Sequence, residues 1–217
     1  MSIFASLEAR FFPPLDAAAQ IEKTIRVSRA LHQFWSSAHG WAPSSAADML
    51  EQARLDRQVA FAYTLHDYLV PFSPETAESR QILGYVTLKS MCEGALKLFF
   101  SVWLEDYRRD SSAPTKKAGS VIDPADVTFD RLITFFNQRI SSSHDTFIRR
   151  VQQRGNAIHS FKDRDIGTQQ ELIDDILAYG QFLLAISDGL PYPDEMYDPA
   201  LASMPLSYNY CTLYFLG

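Results

Sequence analysis

Arg154, Asn156 and His159 fall within six consecutive residues, Arg154-Gly155-Asn156-Ala157-Ile158-His159, and their types suit the cleavage of a phosphodiester. A histidine can take or give a proton near neutral pH. An arginine can bind a phosphate and stabilise the charge that builds on it. An asparagine can orient either group. With RNA as substrate, the attacking group would be the RNA's own 2′-hydroxyl, so the trio needs no metal. On a regular helix Asn156 and His159 lie about 60° apart and share a face, whereas Arg154 and His159 lie about 140° apart. Arg154 would then reach the same point only through its long side chain, or where the helix is distorted near Gly155. A glycine inside a helix is unfavourable by about 1 kcal/mol against alanine. Either a close neighbour requires it or the helix is loosened there.

The surroundings of the trio are basic. Between Arg139 and Arg164 stand Arg139, Arg149, Arg150, Arg154, Lys162 and Arg164 against Asp145 and Asp163, a local charge of +4 in a chain of net charge −6. Lys162, Arg164 and Arg150 are therefore the candidate substrate-binding cations, able to follow a phosphate backbone. The same run would also serve as a solvated helix face. The overall acidity excludes nucleic-acid binding driven by the field of the whole protein, so any such role rests on this patch.

The elements that must position these residues are helical. The chain has 217 residues, of which 47% are hydrophobic and 21% charged, enough for a sizeable core in one domain. Asp16 follows two prolines and can cap a helix over 17–37, ended by Gly40. Ser44 and Ser45 can start a second helix that runs to Val70, where Pro71 stops it. Ser73-Pro74-Glu75 opens a third, reaching Tyr107, with Leu88, Cys92, Ala95, Phe99 and Val102 on one apolar face. Along another face Lys89, Glu93 and Lys97 step by four and can form two ion pairs. Periodicity vanishes over 109–126, a long loop expected to be mobile. Thr128 caps a helix with Leu132, Phe135, Phe136 and Ile140 on its stripe, and Ser141-Ser142-Ser143 breaks it. A segment over 145–161 carries the trio. Thr168-Gln169-Gln170-Glu171 is a capping box, followed by Leu172, Ile176, Tyr179, Leu183 and Ile186 at helical spacing until Gly189. The reading is an all-α bundle of about five or six helices. Beyond it lies an irregular, aromatic and proline-rich C-terminal tail over 190–217, expected to wrap on the bundle or on a partner.

Other chemistries find little support. Cys92 and Cys211 predict one buried thiol and one tail thiol, with neither disulfide nor zinc site. His32, His39, His66 and His144 have no ligand at metal spacing and are expected as caps, surface or interface residues. No P-loop, dinucleotide fingerprint or nucleophile elbow occurs, so no cofactor is expected. Met1 to Phe12 lacks a secretory signal, and Lys89, Glu93 and Lys97 interrupt the most apolar window, so a cytoplasmic protein without a membrane span is expected.

At these residues the chain resembles the HEPN superfamily (higher eukaryotes and prokaryotes nucleotide-binding), marked by an arginine, four to six residues, then a histidine. Arg154 with His159 fits that spacing; Gly155 departs from the commonest form, and the asparagine comes one place later, at Asn156. The stretch Gly84 to Trp103, with Glu93-Gly94-Ala95-Leu96-Lys97, resembles the family's early long helix. RGNAIHSFKDRDIG at Arg154 to Gly167 and LPYPDE at Leu190 to Glu195 resemble an uncharacterised bacterial branch. The resemblance divides the chain into an N-terminal helical extension (1–72), a HEPN-like bundle (73–189) and the tail, within one compact unit. It implies a homodimer that brings two motifs together. It also implies metal-independent endoribonuclease activity with Arg154, Asn156 and His159 as catalytic residues, in toxin–antitoxin or phage-defence systems with an antitoxin or defence partner. The alternative is a noncatalytic dimerisation, adaptor or nucleotide-binding module, favoured by the acidic balance and the aromatic tail.

Overall fold

A helix buried on nearly every side organises the architecture. In the computed structural model, which describes residues 16–159, 161 and 163–193, this helix is Ala77–Val102. Tyr85, Leu88, Met91, Cys92, Ala95 and Leu96 along it are almost fully excluded from solvent. Around it stand, in chain order, α1 (Ala17–Trp35), α2 (Ser44–Gln52), α3 (Leu55–Tyr63), then the central helix itself as α4. These are followed by α5 (Leu104–Arg109), α6 (Phe129–Arg139), α7 (Asp145–Gly155) and α8 (Gln169–Asp188). The fold is all-α; among the described residues only one isolated bridge, Thr115 with Val121, is of β type. Helices α3, α7 and α8 pack on α4, and α1 packs on α3 and α8. One continuous buried cluster runs from Ile21 to Leu190, so residues before and after position 73 share a core. Its aromatic centre sets Phe100 against Phe135 and Tyr107, and Phe182 against Phe136 and Phe147. Each such buried ring stabilises by roughly 1.5–3 kcal/mol.

Among the described residues eight α-helices stand where five or six were expected, because two expected helices are broken. The helix over 44–70 stops at Gln52, where Ala53 turns extended, restarts at Leu55, and ends in a 3-10 turn over Thr64–Leu69. Neither Gly nor Pro marks that break. The helix opened at Ser73 begins at Ala77 and breaks at Trp103, whose indole N–H donates to the carbonyl of Gly189. The expected mobile loop over 109–126 is instead tied down. Lys116 N–H donates to Ser120 O, Ile122 N–H to Pro114 O, Tyr107 Oη to Ile122 O, and Arg131 to Thr115 O. The Asp16 cap, the Thr168–Glu171 capping box and the stop at Gly189 stand as expected. Of the tail, Leu190–Pro193 are described, with Tyr192 against Phe34 and Trp35; the rest of it, Cys211 included, lies outside the described residues. Cys92 is a buried free thiol. Among the described residues no helix is long and apolar enough to cross a membrane.

His32 corrects one expectation. It is neither cap nor surface residue but 2% exposed, with Nδ1–H donating to Ser28 O at 2.6 Å. Burial lowers its pKa from 6.5 to about 4. As pH falls below 6.5 the unfolded chain takes up a proton that the folded protein refuses until about 4, so stability falls across that window. The loss is of order 3 kcal/mol. His144, whose pKa burial also lowers, acts in the same direction. Urea denaturation between pH 7 and pH 4.5 should show this decline, and His32→Gln should flatten it; a variant as pH-dependent as wild type would contradict the assignment.

Candidate functional site

The trio is distributed over a helix end and the turn that follows, not over one helix. Helix α7 ends at Gly155, Asn156–Ile158 form a 3-10 turn, and His159 follows in extended conformation. The glycine is required by a crossing. A Cβ at position 155 would stand 2.9 Å from Lys89 Cβ and Cδ on α4 and 2.9 Å from the carbonyl oxygen of Tyr85. Real Cβ atoms do not approach so closely, and a backbone carbonyl in a packed helix cannot withdraw cheaply. The close neighbour is thus α4 itself, and the helix also leaves α geometry there.

Arg154 points into the bundle. Its side chain is 7% exposed and surrounded by carboxylates. Nε and Nη2 donate to Asp165 Oδ2 at 3.2 and 2.9 Å, Nη2 donates to Glu171 Oε1 at 2.9 Å, and Nη1 donates to the Tyr85 hydroxyl at 2.7 Å. Tyr85 passes the interaction on, donating to Asp175 Oδ2 at 3.0 Å. Asp175 is 1% exposed and also accepts from Arg150 Nε at 3.1 Å through both oxygens. The guanidinium lies over Gly167, whose φ is +66° and where a Cβ would meet Arg154 Cζ at 2.5 Å. Burial opposes the charge of Arg154, yet the bonds to Glu171, Asp165 and Tyr85 raise its pKa above the ordinary arginine value. Burial, reinforced by the charge of Asp175, pushes the Tyr85 hydroxyl up. The backbone N–H of Gly167 and then Arg154 hold Asp165 low; Arg154 and then Thr168 do so for Glu171.

Asn156 and His159 lie on the other side of the crossing. Asn156 Oδ1 accepts from Lys89 Nζ at 2.6 Å, and its carbonyl accepts from His159 N–H at 3.2 Å. The His159 side chain is exposed, between Ile158 at 48% and Phe161 at 102%. No side-chain hydrogen bond joins Arg154 to Asn156 or His159 among the described residues. The ion pairs expected along α4 are halved: Lys97 pairs with Glu93 at 2.9 Å, and Lys89 turns to Asn156.

The basic window is largely neutralised. Arg139 pairs with Asp110, Arg149 with Asp145 and Asp130, Arg150 with Asp175, and Arg154 with Asp165 and Glu171. Arg164 lines a cleft of about 500 Å³ together with Asp163, Asp165 and Glu171. Lys162 lies outside the described residues. Among the described residues no group of His, Cys, Asp and Glu could hold a metal ion. His39 sits near Asp48 and Glu51, and His66 Nε2–H donates to Glu22 Oε1 at 2.7 Å.

Sequence reasoning missed Tyr85, Lys89, Asp165, Glu171 and Asp175. Asp175 carried a usable signal: it stands between Leu172 and Tyr179 on the apolar stripe of α8, and a charge on a buried stripe requires a partner. Comparison with protein-family models, with curated proteins and with solved structures finds no match to this chain.

Arg154→Met keeps the stem and removes the charge, leaving Tyr85 without its donor and Asp165 and Glu171 with only their Gly167 and Thr168 donors. It should destabilise the protein by about 1–2 kcal/mol in urea denaturation at pH 7. Asp165 and Glu171 are held below their ordinary values of 3.8 and 4.5. Their contribution is therefore present above those values and lost as pH falls through the lower folded ones. The variant should lose the part of that acid limb that Arg154 supplies and keep the part that Gly167 and Thr168 supply. Wild-type stability at pH 7 would show that the carboxylate cage does not hold the helices.

Proposed function

We propose that the protein is an endoribonuclease in which His159 moves the proton while the RNA's own 2′-hydroxyl attacks. The supporting observation is the placement of His159, whose imidazole is exposed at the end of a 3-10 turn while its backbone is anchored to Asn156. His159 takes the 2′-hydroxyl proton as the 2′-oxygen bonds to phosphorus. The P–O5′ bond breaks and the leaving oxygen takes a proton from water, giving a 2′,3′-cyclic phosphate end and a 5′-hydroxyl end, and His159 returns its proton to solvent. Arg154 acts in this reading as a positioning residue: it fixes the end of α7, and through it the turn that carries Asn156 and His159. Exposed Ile158 and Phe161 beside the histidine suit closure by a second copy of the chain. A homodimer of this kind, working in the cytoplasm as a toxin or phage-defence effector with a cognate partner protein, is the setting the HEPN-like motif implies.

A second reading has its own observation. The guanidinium of Arg154 is already bound by Asp165, Glu171 and Tyr85, which suits a noncatalytic dimerisation, adaptor or nucleotide-binding module of the same fold.

Incubation of purified protein with total RNA in EDTA separates the two. Wild type should cleave, leaving cyclic phosphate ends, and His159→Ala should lose at least a hundredfold in rate. Equal cleavage by both proteins, or none by either, overturns the ribonuclease and leaves the binding module.

A further inference from the structure

We propose that Lys89, on α4, supplies the cation for the scissile phosphate, and that Asn156 holds its ammonium in place. The inference rests on the ribonuclease reading. It starts from a charge problem: phosphodiester cleavage builds negative charge on the phosphate, and the arginine of the motif is already neutralised by carboxylates. The two arginines at this crossing, Arg150 and Arg154, face three acids, Asp165, Glu171 and Asp175. That side of α7 offers a phosphate no net attraction. Arg164 stands in a cleft lined by Asp163, Asp165 and Glu171.

Lys89 differs from Arg150 and Arg154 in its partner, and from Arg164 in meeting the motif itself. Its stem covers Gly155, the only residue type that lets α7 come so close, so the crossing carries the ammonium past the helix end. There it donates to Asn156 Oδ1 at 2.6 Å. No carboxylate forms an ion pair with it among the described residues, since Glu93 pairs with Lys97. An amide oxygen takes one of the three ammonium protons without cancelling the charge, where a carboxylate would cancel it. The residue that holds Lys89 also accepts the His159 backbone N–H, so the ammonium and the backbone of His159 are both held by Asn156. Asn156 is thereby assigned to positioning, and the place one residue beyond its usual position in the motif becomes the place that meets α4.

The test uses the full chain and two readouts. One is cleavage of total RNA in EDTA; the other is binding of a random-sequence 2′-O-methyl RNA 20-mer, which lacks the nucleophile. Lys89→Met keeps the stem over Gly155 and should lower cleavage roughly a hundredfold. It should weaken 20-mer binding severalfold and reduce the slope of log K against log salt by about 0.7. Lys89→Arg should retain most of both. Asn156→Asp leaves the lysine but places a carboxylate on it, and should lose cleavage as Lys89→Met does, which keeps the test decisive if Lys89→Met fails to fold. His159→Ala should bind the 20-mer as wild type does while failing to cleave. If Lys89→Met and Asn156→Asp cleave at wild-type rates while His159→Ala does not, the lysine assignment is overturned and the ribonuclease stands. If wild type does not cleave but binds the 20-mer through Lys89, the ribonuclease is overturned and the phosphate site stands.

Discussion

The buried carboxylate of Asp175 is the constraint on which the rest of the structure turns. A carboxylate 1% exposed in an apolar core needs partners, because taking its polar oxygens out of water costs several kcal/mol. Its partners come from two other helices: the Tyr85 hydroxyl from α4 and the Arg150 guanidinium from α7, with Arg154 Nη1 at 3.8 Å. Hydrophobic burial is non-directional and would tolerate α7 sliding or turning on α4. Hydrogen bonds do not tolerate it. Two arginines one turn apart on α7 meet one tyrosine and one aspartate, and this sets the register of three helices at once. Arg154 then extends the same network to Asp165 and Glu171, tying the segment after the motif to the capped start of α8.

This arrangement divides the charges of the basic window into two populations. Arg139, Arg149, Arg150 and Arg154 all serve the fold, each against a carboxylate. A local charge of +4 counted along the chain is therefore not a surface of +4 in space, since Asp110, Asp130, Glu171 and Asp175 come to it from elsewhere in the sequence. What remains available to a ligand is set by which cations lack an acid; among the described residues around the motif, Arg164 forms no ion pair but lines a cleft with Asp163, Asp165 and Glu171, and Lys89 forms none and meets the motif itself. Its neutral partner Asn156 is the chemical difference between a cation that holds helices together and one that can hold an anion.

Legibility followed the range of the interaction. The capping box at Thr168, the Asp16 cap and the stop at Gly189 are local hydrogen-bond patterns, and the sequence displayed them directly. The breaks at Ala53 and Trp103 were hidden because the side chains there do not forbid a helix; tertiary contacts, such as the Trp103 indole on Gly189, decide them. The loop over 109–126 looked loose because its ties run through backbone carbonyls that composition does not reveal. In the site, residue types were legible and pairing was not. The partners of Arg154, Asn156 and Arg150 include residues 69, 67 and 25 positions away. The angle of about 140° that a regular helix would set between Arg154 and His159 does not apply, because the chain leaves α geometry after Gly155, yet the two still part, one buried and one exposed. That parting is a division of roles.

That divergence gives the spacing its physical meaning here. With five positions from Arg154 to His159 and a glycine at the crossing between them, the chain can anchor inward with the first and present the second outward. Were the two to meet at one phosphate within a single chain, the arginine would have to leave a cage of two carboxylates and a tyrosine, exposing Asp175 to the loss of a neighbouring positive charge. Keeping it buried costs nothing further, and the 3-10 turn over Asn156–Ile158 then rests on a fixed base. A turn without such an anchor would spread His159 over many orientations, and proton transfer depends on holding the base within hydrogen-bond reach of one hydroxyl. The inward arginine and the outward histidine are in this sense one device: the rigidity acquired on one side of Gly155 is what makes an exposed side chain on the other side usable.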